Sequence, residues 1–282
     1  MNAEIISVDS MQVYRRMDIG TAKPSAEVRG SIAHHMIDVV DPADEFTARR
    51  FRDLGRKALH GIAEREHTAI IVGGSGLHFR ALVDHMTFAP SDEVLRRDLE
   101  AADPSDLAAE LLAADPRAGD VVDLRNQRRV LRAIEILRLS NTTPSERFAS
   151  AEAEGLRRYR SEIPFVAIGF DAGDGIGVRI EERFDRMLAS GLLDEVAHLQ
   201  PSLGRTAREA VGYRELLAVV AGEASLEEAR IDALTATRAL AKRQRTWFRR
   251  DPRVRWLPWH HDPDVRIERA WDALTEDRAW SS

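Results

Sequence analysis

The sequence Ile5-Ile6-Ser7-Val8-Asp9-Ser10-Met11-Gln12-Val13-Tyr14 turns from apolar to polar within a few residues. Its opening run, Ile5 to Val8, has the length and the β-branched content of a buried parallel strand. Ligands of open α/β sheets bind beyond the carboxyl ends of such strands, so Asp9 is placed to take part in chemistry. The alternative is that Asp9 caps a following helix. The spacing alone does not separate these two interpretations.

Two further apolar runs predict strands, and the segment between the first two strands contains a predicted helix. Thr68 to Val72 is interpreted as a second buried strand, Ile163 to Phe170 as a third, and Thr47 to Glu66 as an amphipathic helix. The second run ends in Gly73-Gly74-Ser75-Gly76, where backbone N–H groups can approach an anion at a helix N-terminus or simply form a tight turn. The pattern predicts an α/β fold.

The composition excludes several classes of protein. The chain has 282 residues, a formal charge of −6 and no cysteine, so disulfides and cysteine-ligated zinc are excluded. The net charge argues against a uniformly basic nucleic-acid binder but allows local basic faces. There is no membrane-length apolar run and no signal-peptide pattern. The adjacent His34 and His35 would point to opposite faces of a strand, so a shared metal is not expected.

A helical insertion is predicted over residues 87–160. Short helical stretches there are punctuated by Pro104, Pro116 and Pro144. Within this insertion a cluster of arginines shares one helix face at spacings i, i+3, i+4 and i+7, and consists of Arg125, Arg128, Arg129 and Arg132. The cluster has little acidic balance, since Glu135 is the only carboxylate at i+3 from Arg132. The face therefore suits phosphate, with a solvated charged face as the alternative.

A second basic helix is predicted near the C-terminus. Thr235 to Arg250 contains no acidic residue and interleaves Trp247 and Phe248 with its cations. Trp247 packing into the core and the cations binding phosphates are compatible interpretations.

The motifs quoted above resemble those of one family. Asp9 to Tyr14, followed by Asp18-Ile19-Gly20-Thr21-Ala22-Lys23-Pro24, resembles the tRNA dimethylallyltransferases, also called tRNA isopentenyltransferases. Three further motifs follow in the family's order. They are the glycine turn (Gly73 to Gly76), the helix that carries the arginine cluster, and Ala210-Val211-Gly212-Tyr213-Arg214-Glu215. The resemblance implies a P-loop NTPase-like parallel sheet, with an α/β core at 1–86 and 161–260, the insertion at 87–160 and a tail at 261–282.

The resemblance also implies a reaction. A dimethylallyl group would move from its diphosphate to N6 of the adenosine next to the anticodon, position 37, in tRNAs that read codons beginning with U. An adenine amine is a poor nucleophile, and Asp9 is the candidate base for its proton. Ser10 and Gln12 could read the extruded adenine.

The site residues that the resemblance implies fall into two sets. Arg179 and Arg183 are assigned to the diphosphate, with salt bridges to Glu182 or Asp185 as the alternative. His78 stands where the family usually has tyrosine. The residues assigned to the tRNA are Asp9, Ser10, Met11, Gln12, Ser75, Arg96, Arg128, Arg129, Val130, Leu131, Arg132, Gly212, Tyr213, Arg214, Lys242, Arg243, Arg245 and Arg249.

One departure from the family pattern concerns the phosphate loop. No Gly-x-x-x-x-Gly-Lys-Ser/Thr occurs in these 282 residues. In the family that loop, with its strand, supplies donors to the diphosphate and a ligand to Mg²⁺, the implied cofactor. We expect a truncated version of an active enzyme, without the first strand and P-loop, with two unpaired sheet edges and with poor or no prenyl transfer. No protein metal ligand is predicted.

The implied partners are a tRNA anticodon stem-loop and dimethylallyl diphosphate, for a cytoplasmic monomer without a membrane partner. Two alternatives remain open. An adenylate isopentenyltransferase would use the same chemistry on a free nucleotide and would not need an RNA-sized basic surface. A non-catalytic RNA-binding remnant would not need Asp9.

Overall fold

The computed structural model describes residues 2–171 and 173–276. The chain divides into two compact units. Asp84–Ile163 forms one, called here the helical unit, and the described residues on either side of it form the other, the α/β unit. The predicted insertion, 87–160, falls within the helical unit. The predicted tail, 261–282, is helical up to Glu276, and residues 277–282 lie outside the described residues.

The strands of the α/β unit form two small parallel sheets. β1 (Ala3–Val8) lies between β2 (His34–His35) and β3 (Thr68–Gly73), and β4 (Ala167–Asp171) pairs with β5 (Val254–Pro258). The α/β class with parallel strands is confirmed, but the single predicted sheet is observed as two. Paired strands of a sheet lie about 4.8 Å apart. The strand that pairs with β4 is β5. The sequence analysis did not predict β5.

The second strand is more exposed than predicted. Ile70 and Val72 of β3 are 45% and 52% exposed. Among the described residues β3 ends its sheet, so its outer edge has no pairing strand. The interpretation of this apolar run as a buried strand is therefore wrong.

The helices have the following bounds. Those of the α/β unit are α1 (Ala26–Ser31), α2 (Ala48–Glu64), α3 (Gly76–Val83), α10 (Ile176–Ala189), α11 (Leu192–Leu199), α12 (Arg205–Arg208), α13 (Tyr213–Val220), α14 (Leu226–Arg249) and α15 (Pro263–Glu276). Those of the helical unit are α4 (Glu93–Ala101), α5 (Pro104–Ala114), α6 (Ala118–Val121), α7 (Gln127–Ser140), α8 (Pro144–Ala149) and α9 (Ala151–Arg157).

Helix α2 shows how local sequence sets an element. The Thr47 hydroxyl accepts the backbone N–H of Arg50, which caps the helix where the prediction began it. Phe51 and Ile62 on its apolar face are fully buried beneath β1 and β3. Burying such a side chain contributes roughly 1.5–3 kcal/mol to folding.

Each unit has its own hydrophobic core. In the α/β unit, Ile6, Tyr14 and Tyr213 belong to one cluster of buried side chains that extends from β1 to α13. In the helical unit, Leu111 of α5 and Ile134 of α7 lie at the centre of a second cluster. No helix in the described part of the chain is both long and apolar enough to cross a bilayer.

The two adjacent histidines separate as predicted. His34 Nδ1 lies 2.8 Å from the carbonyl oxygen of Ile32. His35 Nε2 lies 2.6 Å from the buried carboxylate of Glu4. Glu4 also accepts hydrogen bonds from Arg65 at 2.7 and 2.8 Å, and these contacts lower the pKa of the Glu4 carboxyl. The contact between His35 and Glu4 therefore links β2 to β1 and stabilises the packing of these strands.

Candidate active site

Asp9 lies directly after the carboxyl end of β1. Its Oδ1 accepts the backbone N–H of Met11 at 2.7 Å and of Gln12 at 3.2 Å, so the residue does cap a turn, although no regular helix follows. Its other oxygen, Oδ2, receives no hydrogen bond from any residue that the structure describes. Since Asp9 is half-buried, one carboxylate oxygen fixes the backbone and the other is available as an acceptor. Both sequence-based interpretations of Asp9 are therefore compatible.

The side chains that follow Asp9 contact other parts of the fold, which the sequence did not indicate. The Gln12 amide oxygen accepts the Ser7 hydroxyl at 2.8 Å, and its nitrogen donates to the carbonyls of Thr21 and Ala22 at 3.1 and 3.3 Å. Both ends of the amide are thus engaged within the fold, and the reading of adenine by Gln12 stays a prediction. Met11 packs against the core, and Ser10 is half-buried.

Lys23 holds the loop that follows this turn. Its side chain is 2% exposed, and its ammonium donates to the Tyr14 carbonyl at 2.5 Å, to Asp18 at 2.7 Å and to Asp38 at 2.6 Å. Burial alone would raise the pKa of the Asp38 carboxyl, but hydrogen bonds from Lys23 and Arg29 outweigh burial and lower it. The sequence analysis quoted Lys23 as part of a motif and gave it no role. The sequence signal for this anchoring role was a single lysine between Asp18 and Asp38.

Glu195, on α11, is a second anchor of this loop. Its carboxylate accepts the backbone N–H groups of Asp18, Ile19 and Gly20 at 2.9, 2.8 and 3.2 Å and also the Tyr213 hydroxyl. The sequence analysis missed Glu195 because its partners lie some 175 residues away in the chain.

Tyr213, one of the residues assigned to the tRNA, has its side chain inside the fold. Tyr213 is fully buried, and burial together with Glu195 raises the pKa of its hydroxyl. Gly212, at φ +93°, turns the chain into α13, and its N–H donates to Glu215 at 2.7 Å. Arg214 is exposed and pairs with Glu215 at 2.5 Å. Of these three predicted tRNA contacts, Arg214 alone presents its side chain to solvent.

The glycine turn lies beside the end of β1. The Ser75 N–H donates to the Val8 carbonyl at 3.2 Å. A Cβ at Gly73 would lie 2.2 Å from that same oxygen, so only glycine fits there. The Ser75 hydroxyl lies 2.7 Å from Nδ1 of His78. His78 is buried edge-on against Phe51, so it positions Ser75 and does not stack on a ligand.

Burial lowers the pKa of His78 to about 4, and the nearby charge of Asp9 opposes this shift only partly. The folded state therefore resists protonation between about pH 6.5 and 4, while the unfolded chain takes up the proton. We expect His78 to make the free energy of unfolding fall by about 3 kcal/mol between pH 7 and pH 4. The measurement is urea unfolding across this range, compared with His78→Asn, which keeps an acceptor for Ser75 but does not titrate. Equal pH dependence of the two proteins would contradict this assignment.

Helix α14 lies directly against the glycine turn. A Cβ at Gly76 would lie 2.0 Å from the indole of Trp247, and a Cβ at Gly74 would lie 2.5 Å from the Gln244 amide. The glycines thus permit a close approach of the C-terminal half of α14 to the ends of β1 and β3. Trp247 remains 45% exposed, so it packs on the turn and also faces solvent.

The cations of α14 divide into two groups. Arg245 donates to Asp171, at the end of β4, at 2.9 Å, and Arg249 pairs with the same carboxylate. Residues Thr235 to Arg250 contain no acid of their own, and the end of β4 supplies one, which weakens the predicted phosphate role of these two arginines. Lys242 and Arg243 are exposed and form no ion pair with a described residue.

Arg183 and Arg179, the predicted diphosphate ligands, lie one turn apart on α10 in different surroundings. Arg183 is exposed and lines a cleft of about 550 Å³ with Lys23, Arg29 and Arg186. The Arg179 guanidinium lies 4.0 Å from the ring centroid of Trp259, and burial lowers the pKa of Arg179. The alternative salt bridges to Glu182 or Asp185 are not formed by either arginine: Glu182 lies near Arg186 and Asp185 pairs with Arg230.

The arginine face of α7 is less uniform than predicted. The buried Glu135 accepts Arg96 at 3.1 Å and Arg132 at 2.5 Å, so these two predicted tRNA ligands form a structural network. Arg128 and Arg129 are exposed and form no ion pair with a described residue. Val130 is buried and Leu131 packs on the core of the helical unit, so neither side chain is available to RNA.

Comparison with known proteins identifies the family of this chain. Residues 12–251 match the IPP transferase family. The chain is 40% identical over 260 residues to a tRNA dimethylallyltransferase of Bifidobacterium longum, covering 90% of this chain and 77% of the relative. It is 40% identical over 265 residues to a tRNA dimethylallyltransferase of Streptomyces avermitilis, with 91% and 82% covered.

A solved structure is similar to this one, and the aligned residues cover nearly the whole chain. The full-length tRNA isopentenylpyrophosphate transferase of Bacillus halodurans aligns with a TM-score of 0.69 at 34% identity, over 97% of this chain and 88% of that one. The chain therefore belongs to the IPP transferase family and is a prenyltransferase.

Proposed function

We propose that this chain transfers a dimethylallyl group from dimethylallyl diphosphate to N6 of the adenosine at position 37, next to the anticodon of a tRNA. The N6–carbon bond forms as the bond between that carbon and the diphosphate oxygen breaks. The amine proton leaves the nitrogen, and diphosphate leaves the carbon. The relatives named as tRNA dimethylallyltransferases support this substrate class.

The observation that carries the proposal is the carboxylate at the end of β1. Asp9 Oδ1 is fixed by two backbone N–H groups, which orient Oδ2 without occupying it. A positioned carboxylate can take the amine proton as the new bond forms. Ser75, held by His78, lies at the neighbouring strand end and offers a hydroxyl to the base. An adenine in a single-stranded loop reaches such a site at the smallest unstacking cost.

The diphosphate is assigned to the cleft beside Arg183. Arg29, Arg183 and Arg186 supply cationic groups there, and the buried Lys23 fixes the loop that forms one wall. Arg183 forms no ion pair with any residue in the described ranges, so its donors are available to a phosphate. Arg179 is better explained as stacking on Trp259.

The family resemblance implies Mg²⁺ as a cofactor. The described residues contain no group of three or more histidine, aspartate or glutamate side chains that could hold a metal ion. Asp9, the acid at the proposed centre, already uses one oxygen for the backbone. A bound Mg²⁺ would neutralise charge on the diphosphate, and its ligands here would be mainly diphosphate oxygens and water.

Two exposed basic surfaces are proposed to hold the RNA, one in each unit. Lys242 and Arg243 on α14 belong to the first, and Arg128 and Arg129 on α7 to the second. Unpaired surface cations suit phosphate contacts, whose strength falls steeply with salt. The choice of tRNAs that read codons beginning with U, a cytoplasmic location and a monomeric state stay predictions.

The experiment supplies labelled dimethylallyl diphosphate with either an anticodon stem-loop or AMP as the acceptor, at excess protein so that slow transfer is measured. Transfer to the stem-loop that exceeds transfer to AMP at least tenfold is expected. Substituting Arg128 and Arg129 with glutamine should weaken transfer to RNA. Preferred transfer to AMP would indicate the adenylate isopentenyltransferase instead, which has less support since the curated relatives reported above are named for tRNA. Absence of transfer with retained RNA binding would refute the proposed activity of this chain, and it is the result that a truncated enzyme and a non-catalytic remnant would share.

A further inference from the structure

A second cleft, of about 650 Å³, lies within the helical unit between α7 and α8. Its walls carry Arg128, Arg129 and Arg132 from α7, Arg147 and Phe148 from α8, and no aspartate or glutamate. Segment 84–163 as a whole contains more acidic than basic residues. The positive charge is therefore concentrated in this groove, and the complementary ligand is a polyanion.

Arg132 is already neutralised by Glu135, but Arg147 is not paired with any described carboxylate. Partial burial and the charge of Arg132 lower the pKa of Arg147, which places the two cations near one another. The charge of Glu152 opposes this shift, but the Arg147 guanidinium forms no ion pair with a described residue, so its N–H donors can bind a phosphate. The groove thus extends the basic surface of α7 onto α8, a helix to which the sequence analysis gave no role.

Phe148 adds a flat apolar surface to the same groove. Its ring is 50% exposed. The Arg157 guanidinium lies 4.2 Å from the ring centroid, and that side chain also donates to the Phe148 carbonyl at 2.6 Å. An exposed aromatic ring backed by a guanidinium is a stacking surface for a base, because every nucleobase has a π-face.

The short helix α8 is held rigidly enough to present these side chains. Ser145 donates its backbone N–H and its hydroxyl to the buried Asp115 at 2.8 and 2.9 Å. Thr143 and Glu146 form a reciprocal capping box at the helix start. Arg147 and Phe148 therefore need little ordering on binding, which reduces its entropic cost.

We propose that Arg147 and Phe148 form an additional RNA-binding subsite, in which Phe148 stacks on an unpaired base and Arg147 contacts an adjacent phosphate. This inference rests on the proposed function, since it takes the RNA substrate as given. It adds two residues that belong neither to the motifs that carry the family resemblance nor to the α7 face.

The test measures binding of an anticodon stem-loop to the full chain by fluorescence anisotropy at several salt concentrations. Phe148→Ala should weaken binding by roughly 5- to 100-fold, the range expected for loss of one stacked base, and Phe148→Trp should restore it. Arg147→Gln should reduce the slope of log K against log salt by about 0.7–0.9. The matched controls are Leu139→Ala, an exposed apolar residue of α7, and Arg117→Gln, an exposed arginine paired with Asp120. Both controls should bind like the unchanged chain.

The outcomes separate this inference from the proposed function. If the unchanged chain binds the stem-loop and Phe148→Ala and Arg147→Gln behave like their controls, the subsite is refuted and the function stands. If the unchanged chain does not bind the stem-loop at all, both are refuted. Circular dichroism of each variant confirms that the exposed positions leave the fold intact.

Discussion

Replacing Asp9 with asparagine is expected to reduce the rate of prenyl transfer by roughly 10²- to 10⁴-fold, the usual contribution of a positioned general base. Asparagine keeps an Oδ1 that can accept the N–H groups of Met11 and Gln12. The turn should therefore survive, while the second oxygen is replaced by an amide that cannot take a proton. The measurement is the single-turnover rate with labelled dimethylallyl diphosphate and a stem-loop.

The control for this variant is Asp53→Asn, the same chemical change on an exposed carboxylate of α2. Its transfer rate should equal that of the unchanged chain. Stem-loop affinity should change less than about threefold in both variants, because phosphate contacts dominate RNA binding. A rate for Asp9→Asn within twofold of the unchanged chain would show that Asp9 is a capping residue only.

Lys23→Met is expected to destabilise the α/β unit by about 3 kcal/mol. Removing one partner of a buried ion pair typically costs about 3–5 kcal/mol, because the other charge stays buried without compensation. The lower end applies here because Asp38 retains Arg29 at 2.6 Å and Asp18 is 57% exposed. The measurement is the free energy of unfolding in urea.

Lys57→Met provides the matched comparison, since Lys57 is exposed on α2. Its stability should stay within about 0.5 kcal/mol of the unchanged chain. Lys23→Met should also weaken diphosphate binding, because the loop from Asp18 to Pro24 forms a wall of the cleft beside Arg183. Unchanged stability of Lys23→Met would mean that the three short contacts of this ammonium do not hold the loop.

The elements predicted best from sequence are those with local signals. β1 follows from its β-branched run, and α2 from its apolar period and its threonine cap. β5 was missed because Val254 to Pro258 mixes charged, aromatic and apolar residues over a short span. The division of one expected sheet into two depends on which strands pair, a property that periodicity does not contain.

The sequence motifs indicate which residues belong to the predicted site, but not which groups each side chain contacts. Asp9, Ser75 and the basic half of α14 do converge at the ends of β1 and β3. The hydrogen bonds that Gln12 and Tyr213 form within the fold, with Ala22 and Glu195, could not be predicted from the sequence. A motif states which residue types recur together, whereas burial and hydrogen-bond saturation decide which of them can reach a ligand.

The most direct test of the proposed adenine site is photo-crosslinking of a stem-loop that carries 8-azidoadenosine at the position next to the anticodon. Mass spectrometry of the crosslinked peptide identifies the residues beside that base. Attachment within Asp9 to Tyr14 or within Gly73 to His78 is the predicted result. Attachment confined to α15 or to the surface of α2 would contradict the placement of the adenine at the end of β1.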